Sequence, residues 1–132
     1  MRSPASTLRV AFKAISAERS SLFNGTVRPP RDAAQMTTYI VLCHFTDQGI
    51  RDVKDSPKRA AAFKAAAKKT GVTVKAFYWT LGRYDMVSIL EAPDVDTVTA
   101  LGLSVGKLGN VRTETLTAFD KAGMDAILKK VV

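Results

Sequence analysis

The chain has 132 residues, 46% of them hydrophobic, and a formal net charge of +8. That length suits one domain with a real core, and that apolar content excludes global disorder. Cys43 is the only cysteine and His44 the only histidine, which excludes an internal disulfide and leaves a metal centre only carboxylates to rest on.

No metal and no cofactor are therefore expected. No apolar run approaches the roughly 18 residues of a spanning helix, so a membrane is not an expected partner and the expected location is cytoplasmic. The charge is unevenly spread. Residues 1–35 carry six Lys/Arg against two Asp/Glu, and residues 36–132 carry fourteen against ten. Without its tail the domain is only mildly basic, so nucleic acid is not an expected partner either.

Residues 1–35 are rich in Ser, Arg and Ala and poor in pattern. Lys13 interrupts the apolar stretch from Leu8 to Ala17, which makes a poor secretory core. An organelle transit peptide is the competing reading. Arg28-Pro29-Pro30-Arg31 reads as a linker, and Met36 stands directly before the first strand. The expectation is a disordered basic tail, or a misassigned start, over 1–35.

From Met36 the punctuation is clear. "TYIVLCHF" (38–45) is a continuous apolar run of strand length, as in a central strand. "TDQGIRDVKD" reads as a polar loop. Ser56 is the expected N-cap of a helix with Pro57 in its first turn. The helix carries Ala60, Phe63 and Ala67 on one stripe, Lys68 and Lys69 in its last turn, and Gly71 as its stop. "VTVKAFYWTL" (72–81) alternates and is rich in β-branched and aromatic residues, which predicts a strand. Gly82-Arg83 connects it to "YDMVSILEA" (84–92). Asp94 then caps a helix with the stripe Val98, Leu101, Val105 and Leu108, and Gly109-Asn110 ends it. "VRTETLTAF" (111–119) is the fourth strand. "KAGMDAILKKVV" is a short C-terminal helix or tail over 121–132.

The order β-α-β-β-α-β over 36–120 is the ferredoxin-like α+β arrangement, a four-stranded antiparallel sheet with two helices on one face. Alternation assigns the faces. Arg112 and Glu114 mark the open face in the last strand, Lys75 in the second and His44 in the first. The open face is then expected to hold Ile40, Leu42, Phe77, Trp79 and Leu116. So large an apolar patch calls for a second copy packed sheet to sheet, or for a bound apolar ligand.

Three stretches, "TYIVLCHFTDQGIRDVKDSPKRAAAFK", "KAFYWTLGRYDMVSILEAPD" and "LGNVRTETLTAF", resemble the GYD domain family, named for its Gly-x-Tyr-Asp motif. Here the motif is Gly82-Arg83-Tyr84-Asp85. The likeness runs from about Met36 to Phe119. It implies an architecture similar to dimeric α/β-barrel proteins and self-association. It implies no reaction and no catalytic residues.

Tyr84 and Asp85 are the leading site candidates. A carboxylate beside a phenol at a strand mouth suits general acid/base work or ligand binding. The plainer reading, adopted here, has Asp85 accepting hydrogen bonds from loop N–H groups, Tyr84 packing at the rim and Gly82 supplying the turn's backbone angles. His44 suits a proton shuttle or an interface, and Trp79 a ligand stack or an interface anchor. "TDQG" (46–49) suits an anion, or a loop leading into the helix and held by Asp47. "GLSVG" (102–106) matches the nucleophile-elbow string, but Ser104 falls within a helical stripe, so no hydrolase is read from it. Two functions follow. One is a homo-oligomeric small-ligand-binding or regulatory module. The other is a small-molecule enzyme, of cofactor-independent oxygenase or isomerase type, working in a cleft between sheet and helices with His44, Tyr84 and Asp85 as candidate catalytic groups.

Overall fold

The computed structural model describes residues 35–132, and the reading of the tail lies outside them. The elements in order are β1 (Thr37–Phe45), α1 (Asp47–Arg51), a 3-10 turn (Val53–Asp55), α2 (Ser56–Lys69), β2 (Thr73–Trp79), β3 (Met86–Ala92), α3 (Val95–Gly106), β4 (Val111–Ala118) and α4 (Lys121–Leu128). The sheet runs β2-β3-β1-β4, and every neighbouring pair is antiparallel. This is the ferredoxin-like α+β arrangement, with α2 and α3 covering one face. Two elements go beyond the expected order: the polar loop after β1 winds into α1 and the 3-10 turn. The C-terminal segment takes the helical of its two expected forms, α4.

The core lies between the sheet and α2 and α3. β1 sends Tyr39, Val41 and Cys43 inward, and β3 sends Met86, Ser88, Leu90 and Ala92. They meet Ala60 and Ala67 of α2 and Val98 and Leu101 of α3, all buried. The helix ends follow from local chemistry. The Asp94 carboxylate accepts a hydrogen bond from Thr97 N at 2.8 Å and caps α3. α2 ends in a Schellman motif: Gly71 takes φ +81°, Gly71 N donates to Lys68 O, and Val72 N donates to Ala67 O. Val72 and Ala67 are both buried, which supplies the apolar contact that usually accompanies that motif.

The start of α2 differs from expectation. Ser56 already has helical backbone, at φ −56° and ψ −41°, because the 3-10 turn feeds straight into the helix. Asp55 occupies the cap position without a side-chain cap bond. The freed Ser56 hydroxyl is buried and accepts a hydrogen bond from Trp79 Nε1 at 2.8 Å.

That bond exposes a larger correction. Phe77 and Trp79 do not lie on the open face. A bulge between Val74 and Ala76 puts one extra residue, Lys75, into β2 and resets its alternation. Lys75 stays with the open side, where its ammonium is 3.9 Å from Glu91. Beyond it, Phe77 pairs with Ser88 and Trp79 with Met86, both on the helix side of β3. The open face receives Ala76 and Tyr78 instead. Ile40, Leu42 and Leu116 do lie there, beside Val87 and Ile89 of β3. One row across the sheet reads Ala76, Ile89, Ile40, Leu116, and the next Tyr78, Val87, Leu42, Glu114.

The short helix α1 is clamped to the loop before β4. Thr46 N donates to Asn110 O at 3.1 Å, Thr46 Oγ1 donates to Gly109 O at 2.5 Å, and Gly49 N donates to Thr46 Oγ1 at 3.1 Å. Gly49 is buried, and a Cβ there would sit 1.9 Å from Asn110 O. That neighbour is backbone and cannot swing aside. Gly49→Ala is expected to cost roughly 1–3 kcal/mol through overpacking. Urea unfolding of the variant measures it, and an unchanged midpoint would show that the two loops separate freely.

Candidate functional site

The chain brings its chemistry to two places on opposite sides of the sheet. The first is the mouth of the open face, beside the turn between β2 and β3. Gly82 holds φ +124° there, a conformation that glycine adopts without a steric penalty. The turn is fixed by Thr80 N donating to Asp85 O at 2.8 Å and Thr80 Oγ1 donating to Tyr84 O at 2.5 Å. Asp85 then joins β3 to β1 twice. Its N–H donates to Cys43 O at 2.8 Å, and its Oδ2 accepts from Phe45 N at 2.7 Å. The carboxylate thus takes the place that a carbonyl would hold in the next rung of the ladder.

Tyr84 turns the other way, onto the open face. Its ring lies 4.7 Å from that of His44, and its hydroxyl donates to Glu114 Oε2 at 3.0 Å. Arg83 sits 5.6 Å from the Tyr84 ring centre, within cation–π range. Arg112 is the cross-strand partner of His44. The candidates His44, Tyr84 and Asp85 therefore cluster, but Asp85 spends an oxygen on backbone, and the phenol's proton goes to a glutamate.

The other two candidates lie apart from this cluster. Asp47 is the first residue of α1, and the cap that holds the loop is the neighbouring Thr46, whose hydroxyl accepts from Gly49 N. A threonine three residues ahead of Gly49 was the available signal for that cap. Trp79 is on the helix side, packed edge-on against Phe77 at 5.0 Å.

The second place is a cleft between α2, α3 and the helix side of the sheet, with a volume of about 380 Å³. Its walls include Phe63, Phe77, Leu90, Leu101 and Val105, and among the described residues Arg59 is the only charged one lining it. None of His44, Tyr84 or Asp85 lines it. The alternative reading of the sequence expects a cleft between sheet and helices but places His44, Tyr84 and Asp85 in it, and its actual lining is missed; its cause is visible in "KRAAAFKAAAKK", where alanines on α2 fill little of the space above the sheet. Ser104 also borders it, but its hydroxyl donates back to Ala100 O at 2.8 Å within α3. That geometry is a helix, with no nucleophile elbow.

Cys43 reaches the same cleft from beneath. Burial, and then the charge of Asp85, push its thiol up from 9.0 to about 11. A thiol held neutral is a poor nucleophile and a poor metal ligand. Among the described residues no group of three His, Cys, Asp or Glu side chains is arranged to hold a metal ion, and no helix is long and apolar enough to cross a membrane.

Comparison with known proteins agrees with this geometry. The GYD domain family model matches residues 39–128. A protein of Thermus thermophilus, the glutamine synthetase and cystathionine beta-lyase binding protein, is 38% identical over 95 residues, 71% of this chain and 100% of its own length. Two solved structures share the fold. The feast or famine regulatory protein from M. tuberculosis, complexed with L-methionine, has a TM-score of 0.51 at 16% identity, covering 86% of this chain and 71% of its own. AsnC of E. coli has a TM-score of 0.51 at 14% identity, covering 86% and 72%.

Two predictions follow from the stitch at Asp85. Asp85→Asn should cost roughly 1–3 kcal/mol, because a charged acceptor to the Phe45 amide is lost, and Asp85→Ala should cost more. Equilibrium urea denaturation measures both, and full stability in Asp85→Ala would show the bond to be idle. Cys43 sets an alkaline limit. Its folded pKa is raised, so its contribution is intact below pH 9 and is lost as pH rises toward 11. A shift of that size corresponds to about 2–3 kcal/mol at the most. Thermal melts of wild type and Cys43→Ala across pH 8 to 11 should show a steeper alkaline decline in wild type. Parallel curves would show that the thiol titrates alike in both states.

Proposed function

The chain belongs to the GYD domain family, and from that premise we propose that it is a homo-oligomeric binding and regulatory module rather than an enzyme. The observation that carries this reading is the open face of the sheet. Two adjacent rows present Ile40, Leu42, Val87, Ile89, Leu116 and Tyr78 on the side that α2 and α3 do not cover. Leu116 and Tyr78 are exposed. Each such side chain, once buried, contributes on the order of 1.5–3 kcal/mol. The occupant proposed is a second copy of this chain. A two-fold contact is self-complementary, so one patch serves both subunits. Both signs of charge border the patch, with Arg83 and Arg112 near one end and Glu91 and Lys75 toward the other, so a self-contact does not oppose like charges throughout.

The regulatory part is supported by the Thermus relative, which is named for binding two enzymes. We extend this to the present chain as a protein-docking role, with glutamine synthetase and cystathionine β-lyase as the first targets to try. The catalytic alternative needs acid/base groups in the cleft between sheet and helices. The candidate groups His44, Tyr84 and Asp85 stand at the strand mouth instead, and the cleft is lined mainly by apolar side chains with Arg59 as a charged exception.

Sedimentation velocity tests the assembly. Wild type should run as a dimer or larger at micromolar concentration. Ile40→Asp, which places an uncompensated charge in the middle of the patch, should run as a folded monomer or aggregate. A wild-type monomer would overturn the oligomer. Biolayer interferometry against the two enzymes from the same host tests docking, and no response to either at micromolar concentration would remove the enzyme-binding part.

A further inference from the structure

The cleft has no role in the oligomer contact proposed above, which uses the other side of the sheet. Its volume of about 380 Å³ falls at the lower end of small-molecule sites, roughly 300–1,000 Å³. An engineered apolar cavity of roughly 150 Å³ already takes up benzene, so this cleft has space for an apolar body of about two rings or a medium alkyl chain. The small residues Ala60, Ala66 and Gly102 keep the facing sides of α2 and α3 from bridging the space. A Cβ built on Gly102 meets only Thr113 Oγ1 at 3.7 Å, so the gap persists on the sheet side of α3.

Charge says what kind of ligand fits. Among the described residues no carboxylate lines the cleft, and Arg59 does. Its guanidinium is held in place by donating to Asp52 O at 3.0 Å and Gly49 O at 3.1 Å. Those two bonds use part of its fork of donors and leave the remainder for an anion. A second cation, Lys64 on the same helix, stands 5.6 Å from the ring centre of Phe77, which forms part of the wall. The cleft is therefore mainly apolar inside, with the Arg59 cation in its lining and Lys64 close to one of its walls.

We propose that this cleft binds a small amphipathic carboxylate, with its alkyl or aryl body between Phe63, Phe77 and Leu101 and its carboxylate toward Arg59. This deepens the reading of the chain as a ligand-responsive module and rests on it. The body of the ligand gains from removal of apolar surface from water, and the head gains a charge-assisted hydrogen bond.

Trp79 is a built-in reporter. It is the only tryptophan in the sequence, it packs on Phe77 at 5.0 Å, and it hydrogen-bonds Ser56, another cleft residue. The experiment titrates the full chain with decanoate and, separately, with 1-decanol, following tryptophan fluorescence and isothermal heat. Decanoate should give a saturable change with one site per chain. Arg59→Gln should weaken decanoate by about tenfold, the equivalent of 1.4 kcal/mol, and leave 1-decanol unchanged. Arg59→Lys should recover much of the loss. Gly102→Leu, which fills the cleft from α3, should abolish binding of both probes. Circular dichroism of each variant establishes that it is folded.

No saturable response to either probe in wild type overturns the proposal. Equal decanoate affinity in folded Arg59→Gln and wild type overturns the carboxylate assignment. Unimpaired binding in folded Gly102→Leu overturns the location. Sedimentation of the same samples reads the oligomer independently, so loss of the ligand site and loss of the oligomer are told apart.

Discussion

Asp85 is where the two sides of this sheet are tied together. Its backbone N–H and its carboxylate both reach β1, and its carbonyl accepts from Thr80 across the turn. The residue therefore closes β1–β3 pairing beyond the last regular rung and fixes the β2–β3 turn in one stroke. Tyr84, directly before it, is thereby presented to His44 and Glu114 on the open face. Cys43, whose carbonyl accepts from the Asp85 N–H, is pressed into the core with a negative charge nearby. A family signature built on Gly-x-Tyr-Asp fits this arrangement. The glycine supplies the left-handed backbone, the tyrosine faces outward, and the aspartate does the fastening.

The two faces of the sheet then carry different chemistry. The helix side is a core that stops short of filling its own volume. α2 contributes methyl groups where leucines would reach the sheet, and Phe63 alone leans across to Phe77, at 6.2 Å between ring centres. The open side is a flat apolar field with ionic ends. β1 and β3 contribute alternate residues to both sides, to the cleft on one and to the apolar field on the other.

Much of this architecture was legible because local signals were strong. Asp94 before a helical stripe, Gly71 after Lys68-Lys69, and the continuous apolar run of 38–45 each name their element by mechanism. The place of Asp85 at a strand mouth reads as a fastener's, and in the structure its carboxylate accepts from Phe45 N while its N–H donates to Cys43 O. Phe77 and Trp79 were misplaced because a bulge leaves no reliable mark in a strand. Lys75 sits where simple alternation wants it, and only pairing with β3 shows that two successive residues, Lys75 and Ala76, share the open side. The Ser56 cap failed for a related reason. The 3-10 turn ahead of it depends on where α1 ends, and α1 depends on the long-range clamp between Thr46 and Gly109. The cleft is a deficit of volume, and a deficit between elements distant in sequence is hard to see in any one of them.

The bulge has an outcome at the margins of the sheet as well. It makes the two outer strands unequal. β2 offers an interrupted rung and a lysine, both of which discourage another strand from adding there. β4 offers eight regular residues, from Val111 to Ala118, with an unbroken ladder along β1 on its inner side. The residue that turns Phe77 and Trp79 toward the helices thus also protects an edge of the sheet against strand addition.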